Sequence, residues 1–144
     1  MAVASESIEI NASPKECFDV ITDYERYPEF LTESKEVMIE KKSGQTAEVT
    51  FTLHLIKKFS YTLKMIGKPP NTVRWSFVKG DLMKKNDGEW TLEKLGNGTT
   101  RATYTIDIDL GLFVPGAISK MLIGSNLPNM LKNFKKRIEE RKKK

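Results

Sequence analysis

Between residues 35 and 109, apolar side chains recur at every second position. Val37 and Ile39 open the pattern. Val49, Phe51, Leu53 and Leu55 continue it, then Phe59, Tyr61, Leu63 and Met65, then Val73, Trp75 and Phe77, then Trp90 and Leu92, then Ala102, Tyr104, Ile106 and Ile108. The intervening positions are polar: Glu48, Thr50, Thr52 and His54 in one run, and Arg101, Thr103, Thr105, Asp107 and Asp109 in another. A period of two puts successive side chains on opposite faces, so each run predicts a strand with one dry and one wet face. The short connections between these six strands predict antiparallel hairpins. Gly67-Lys68-Pro69-Pro70-Asn71 and Gly96-Asn97-Gly98 carry the turn residues of two of them. Val3 to Ile10 alternates enough for one further short strand.

The period changes on either side of this block. Ser13-Pro14-Lys15-Glu16 is a capping box with proline at the first helical position. Cys17, Phe18 and Ile21 form the apolar stripe of the helix behind it. Tyr27-Pro28 interrupts that helix, because a residue before proline is pushed out of the α region. Two short helices, about 14–22 and 28–31, are expected, with a bend between them. Residues 114–141 return to helical spacing, with Leu127, Leu131, Phe134 and Ile138 on one face. On one straight helix, Ile118, Met121 and Leu122 would point the opposite way. A kink or break between Gly124 and Pro128 would turn both sets inward, whereas a continuous helix would expose a second apolar face. The kink is the expectation taken forward. A curved antiparallel sheet wrapped around one long helix lets both elements hide their single apolar faces, so the fold class is α+β.

Composition narrows the function classes. The 144 residues suit one domain, and 39% hydrophobic with 30% charged residues suits a folded chain. We divide the chain into a domain over residues 1–140 and a basic C-terminal tail over 141–144. The net charge of +5 is unevenly placed. Residues 132–144 hold eight basic and two acidic side chains, +6, while the first forty residues hold three basic and ten acidic, −7. The single cysteine, Cys17, excludes an intrachain disulfide and a multi-thiolate metal site. The N-terminus lacks the basic start and apolar core of a signal peptide, and no apolar run is long enough to span a bilayer. A cytoplasmic protein is expected.

Several stretches resemble a known family. They are Phe18 to Leu31, ending in Tyr27-Pro28-Glu29-Phe30-Leu31; Val73-Arg74-Trp75-Ser76-Phe77; Gly88-Glu89-Trp90-Thr91-Leu92-Glu93; and Gly98-Thr99-Thr100-Arg101 leading into Asp107-Ile108-Asp109. With the order of elements, these resemble the helix-grip (START-like, SRPBCC) superfamily over nearly the whole chain. The nearer resemblance is to the polyketide cyclase/dehydrase and coenzyme Q-binding protein family, which also contains bacterial ribosome-association toxins. The resemblance implies a helix-grip fold: about seven curved antiparallel strands gripping a long C-terminal helix, with two short helices after the first strand. It also implies a cavity between sheet and helix that takes an apolar small molecule such as a quinone, isoprenoid, lipid or polycyclic. One scaffold in this superfamily serves transfer, binding and catalysis, so a polyketide-type cyclase or dehydratase and a ribosome-associating module stay open as alternatives.

The expected cavity residues are Phe51, Leu53, Tyr61, Leu63, Val73, Trp75, Phe77, Trp90, Leu92, Tyr104 and Ile106 from the strands, with Ile118, Leu122, Leu127 and Leu131 from the helix. Tyr61 and Tyr104 would supply hydroxyls, and Trp75 and Trp90 indole donors. For any one of these side chains, plain core packing is the competing reading. His54 falls on a polar face without a visible partner, and Cys17 on an apolar stripe, so neither is assigned a catalytic role. Asp107 and Asp109 share one strand face; a polar sheet surface is preferred over a cation site. No metal, phosphate-loop or dinucleotide motif is present, so no cofactor, metal or DNA partner is expected. The basic C-terminus reads first as cations favouring a helix end, with an anionic membrane surface or ribosomal RNA as possible partners. The uncharged segment Leu110–Gly116 and a loop at 80–86 are expected to form a lip at the cavity mouth.

Overall fold

The computed structural model describes residues 2–54, 58–81, 83–110 and 126–142. Strand β1 (Ala2–Ile10) leads into helix α1 (Pro14–Ile21) and a 3-10 helix (Tyr24–Glu29). Six strands follow: β2 (Ser34–Ser43), β3 (Thr46–His54), β4 (Lys58–Lys68), β5 (Thr72–Gly80), β6 (Met83–Lys94) and β7 (Thr100–Leu110). Helix α2 is described over Leu127–Lys142. The strands form one sheet in the order β1-β7-β6-β5-β4-β3-β2, antiparallel at every step. The six alternating runs are therefore six consecutive neighbours, and β1 returns to the free edge of β7.

The start of α1 is built as its sequence predicts. Ser13 Oγ accepts from the Glu16 amide at 3.2 Å, and Glu16 Oε1 accepts from the Ser13 amide at 2.9 Å. The second short helix differs from expectation. It forms over Tyr24–Glu29 rather than 28–31, as a tighter 3-10 coil with Pro28 inside it. Arg26 donates to the Asp23 carbonyl at 3.2 Å and Phe30 to the Tyr27 carbonyl at 3.1 Å. In such a short coil, with three residues per turn, the amide missing at proline removes only one bond. Tyr27 is buried and donates its hydroxyl to the Ile21 carbonyl, which ties this coil back to α1.

Pro128 lies in the first turn of the described part of α2. The expected kink, with Ile118, Met121 and Leu122, lies outside the described residues. The 80–86 segment is mostly not a loop: β6 begins at Met83, with Met83 opposite Leu110 and Asn86 opposite Ile108 on β7. Ladder pairing has absorbed that half of the proposed lip, and residues 111–116 lie outside the described residues.

The apolar interior is divided. A larger cluster joins Ile10, Cys17, Phe18, Ile21, Tyr24, Tyr27, Val73, Trp90, Leu92, Leu131, Phe134 and Ile138 beneath the helices. A smaller one holds Phe59, Met83, Ile106 and Ile108 on the sheet alone. Tyr61, Phe77 and Tyr104 pack against both. The charges at the two ends of the chain meet. Arg137 pairs with Glu29, Arg141 with Asp23 at 3.6 Å, and Lys135 donates to the Glu9 carbonyl at 2.7 Å. Arg141 belongs to the helix rather than to a separate tail, since α2 runs on to Lys142.

Candidate ligand-binding site

Between the two clusters lies a cavity of about 120 Å³. One water needs about 10–15 Å³ measured the same way, so this space takes a compact ring system rather than a single solvent molecule. Its walls are the inward faces of β3 to β7. One flank is the 3-10 helix and the turn after it, through Tyr27, Leu31, Glu33 and Ser34. The roof among the described residues is the start of α2, through Asn126, Leu127, Met130 and Phe134.

Of the expected residues, Phe51, Leu53, Tyr61, Leu63, Trp75, Trp90, Tyr104, Ile106 and Leu127 line this space. Val73, Leu92 and Leu131 do not; they are packed solid in the larger cluster. The reason is α1, which lies across the ends of β5 and β6 and touches α2. It fills the interior there with Cys17, Phe18 and Ile21, and alternation along a strand carries no information about such a plug. Phe77 also stands outside the lining, wedged against both clusters, and its backbone amide donates to Asp87 at 3.0 Å. Ile118 and Leu122 lie outside the described residues.

The aromatic walls hold the polar groups in place. The Tyr61 ring stacks on Phe51 with centroids 5.6 Å apart. Tyr104 sits between Trp75 at 5.1 Å and Trp90 at 5.0 Å. Neither hydroxyl has a hydrogen-bond partner among the described residues. Burial pushes both phenols up from their ordinary value, and Tyr61 adds to the effect at Tyr104. Both are therefore neutral hydrogen-bond donors at physiological pH rather than bases. Trp75 lies flat over Gly88: a Cβ there would come within 2.6 Å of the indole and 2.3 Å of the Thr105 carbonyl oxygen. That close approach lets the indole nitrogen donate to Asn86 Oδ1 at 3.0 Å. An indole can only donate, so it fixes the amide and turns Asn86 Nδ2 away, where its nearest partner is Met83 Sδ at 3.9 Å.

Asn86, Glu33, Ser34 and Asn126 were missed in the sequence. Asn86 is 4% exposed yet sits in the run Lys84-Lys85-Asn86-Asp87-Gly88-Glu89. Counting back in twos from Leu92 and Trp90 would have found it. At the other polar end, Asn126 donates its amide nitrogen to both oxygens of Glu33 at 2.9 and 3.0 Å, in the orientation that satisfies both groups. Thr32 Oγ1 adds a further bond to Glu33 Oε1 at 2.9 Å.

The discounted candidates have structural roles. His54 is exposed at the end of β3, opposite Lys58. Cys17 is fully buried, and burial pushes its thiol up to about 11, the reverse of an activated nucleophile. Asp107 Oδ2 accepts from Lys85 at 2.7 Å. Among the described residues no group of three or more His, Cys, Asp or Glu could hold a metal ion, and no helix is long and apolar enough to cross a membrane.

A seven-stranded antiparallel sheet packed on a C-terminal helix, with two short helical segments after the first strand, is a START-like helix-grip fold. Solved structures with this arrangement include a START superfamily protein from Mycobacterium smegmatis, with TM-score 0.85, 22% identity, and 96% of this chain and 97% of that one covered. A protein from Thermus thermophilus superposes with TM-score 0.85, 18% identity, and 97% and 99% covered. The Zhui aromatase/cyclase from Streptomyces sp. R1128 superposes with TM-score 0.86, 15% identity, and 97% and 94% covered. The family model described as polyketide cyclase / dehydrase and lipid transport matches residues 10–135. The chain belongs to that family. No curated protein sequence matches it as a relative.

Proposed function

We propose that this chain is a cytoplasmic binding or carrier protein that holds a compact apolar molecule, of quinone, isoprenoid, lipid or polycyclic type, in the cavity without transforming it. The observation that carries this reading is the hollow between the two apolar clusters. Unfilled apolar volume forfeits packing, at about 24 cal/mol per Å³. A ligand there recovers contacts and hides its own surface at about 25 cal/mol per Å². Tyr61 and Tyr104 stand ready to orient a polar atom.

A cyclase or dehydratase would need a proton acceptor at the substrate. The cavity tyrosines are pushed away from that role, and Glu33, the carboxylate among the described lining residues, is engaged by Asn126 and Thr32. A membrane or ribosome partner at the basic C-terminus draws less support, because Arg137 and Arg141 already pair with Glu29 and Asp23.

Native mass spectrometry after mild purification, joined to thermal melts with naphthalene, tests the reading. A co-purified apolar mass, or a melting temperature that rises with naphthalene in the wild type and not in a cavity-filling Leu63→Trp variant, is expected. An empty protein whose melting point ignores the probe would overturn it.

A further inference from the structure

Besides the two tyrosine hydroxyls, the cavity wall has a polar feature among the described residues that the fold itself leaves unexplained. Ser34 is 5% exposed and lines the cavity, and its hydroxyl has no hydrogen-bond partner among the described residues. Buried hydroxyls are normally paired, so an orphan needs a reason. The backbone supplies a second observation. Along β2, Val37 and Ile39 are partly buried against the larger cluster, opposite Phe51 and Val49. Plain alternation from those two would place residue 35 inward and residue 34 outward. The β2–β3 register instead shifts between Ser34 and Glu36, so that Ser34 stands opposite Leu53, a cavity residue. The extra residue, Lys35, is exposed. Bulges of this kind re-aim side chains and gather near functional sites.

Beside Ser34 lies Glu33, which lines the same cavity. Its carboxylate is held by two bonds from Asn126 and one from Thr32. A carboxylate offers about four acceptor positions, so the donors among the described residues leave one open. The wall at this end of the cavity thus holds an acceptor-only group and a fully buried, unpaired hydroxyl that can both give and receive. Resting on the proposed binding of an apolar molecule, we infer that the ligand carries an alcohol or phenol hydroxyl, which donates to Glu33 and accepts from Ser34. Asn126 acts as a positioning residue, since it fixes the carboxylate without itself being needed at the ligand.

Three probes of one shape separate the terms: naphthalene, 2-naphthol, and 2-methoxynaphthalene, which accepts but cannot donate. Calorimetric titration of the wild type should rank 2-naphthol about tenfold or more above the other two, the usual worth of a hydrogen bond to a charged group. Ser34→Ala and Glu33→Gln should each remove most of that preference of 2-naphthol over naphthalene. If Glu33→Gln proves unstable in a thermal melt, Ser34→Ala alone carries the test. Equal binding of the three probes by the wild type, or a naphthol preference that survives Ser34→Ala, would refute the hydroxyl subsite and leave the apolar cavity standing. Failure of all three to bind would remove both.

Discussion

One sheet supports two unlike interiors. Under α1, the 3-10 helix and the later turns of α2, the space is filled by interlocking rings. On its border with the cavity, Phe134 meets Tyr27 at 5.3 Å, Phe30 at 5.1 Å and Trp90 at 5.1 Å, all near-perpendicular. At the other end Phe59, Met83, Ile106 and Ile108 present an apolar surface to the cavity. The strands are the same strands and their alternation is the same. What differs is whether a short helix has been laid across them. The lesson is that stability and a binding hollow need not compete for the same residues: α1 concentrates packing at one end and leaves the other end to function.

The largest expected effect is a direct test of that division. Phe18→Ala, in the filled end and off the cavity lining, should cost about 3–5 kcal/mol, because a close-packed aromatic leaves a cavity that its neighbours cannot fill. Ile106→Ala, at the edge of an existing space, should fall near the lower end of the range for aliphatic truncation, about 2 kcal/mol. Urea unfolding measures both, and equal losses would mean the two ends are packed alike.

A middling effect appears with alkali and involves both ends at once. Tyr24 lies in the filled end, Tyr27 on its border with the cavity, and Tyr61 and Tyr104 on the cavity wall, and these are all four tyrosines of the chain. Burial raises every one of them. The unfolded chain therefore releases these protons near pH 10, while the folded chain holds them to higher pH. Their contribution is intact below about pH 10 and lost as pH rises above it. Phenolate absorbance should stay flat through pH 10 and rise together with unfolding. A ligand in the cavity should delay that rise, and an early, non-cooperative fraction would show that the cavity pair is wetter than the filled pair.

The smallest effect concerns the clasp between the chain's acidic start and basic end. The Arg137 guanidinium holds the Glu29 carboxyl below the usual carboxylate range and lies 5.2 Å from the Phe30 ring centre. A lowered carboxyl contributes above its unfolded value, near pH 4.3–4.5, and the contribution is lost as pH falls through the folded one. Arg137→Ala should soften the acid limb of the stability profile only slightly, since exposed pairs are weak. A large change at neutral pH would assign Arg137 to the packing of the filled end instead.

Much of this division was legible along the chain, and its limits are physical. Alternation located β2 to β7, and the capping box located α1, because both depend on neighbours close in sequence. Alternation also marked Val73 and Leu92 as inward, which they are, but it does not distinguish a side chain facing a cavity from one facing Phe18 or Ile21. That depends on where α1 lands, a contact between distant residues. Asn86 stayed hidden because its flanking charges imitate a turn, although the two-residue period continued through it. The 3-10 helix formed earlier than Pro28 suggested because its short-range bonds tolerate a missing amide. Ser34 was out of reach for another reason: one inserted residue reversed the parity by which inward and outward positions are counted.

That parity carries a consequence for how this protein relates to others of its fold. The polar end of the cavity is specified by strand register, not only by which residues are present. Pairing Lys35 into the ladder, with no bulge, would return β2 to plain alternation and direct Ser34 to the wet face, with Ser34 and Glu33 both unchanged in identity. Two chains could therefore share every side chain quoted for the site and differ in what they hold, separated only by whether one residue bulges at the edge of the sheet.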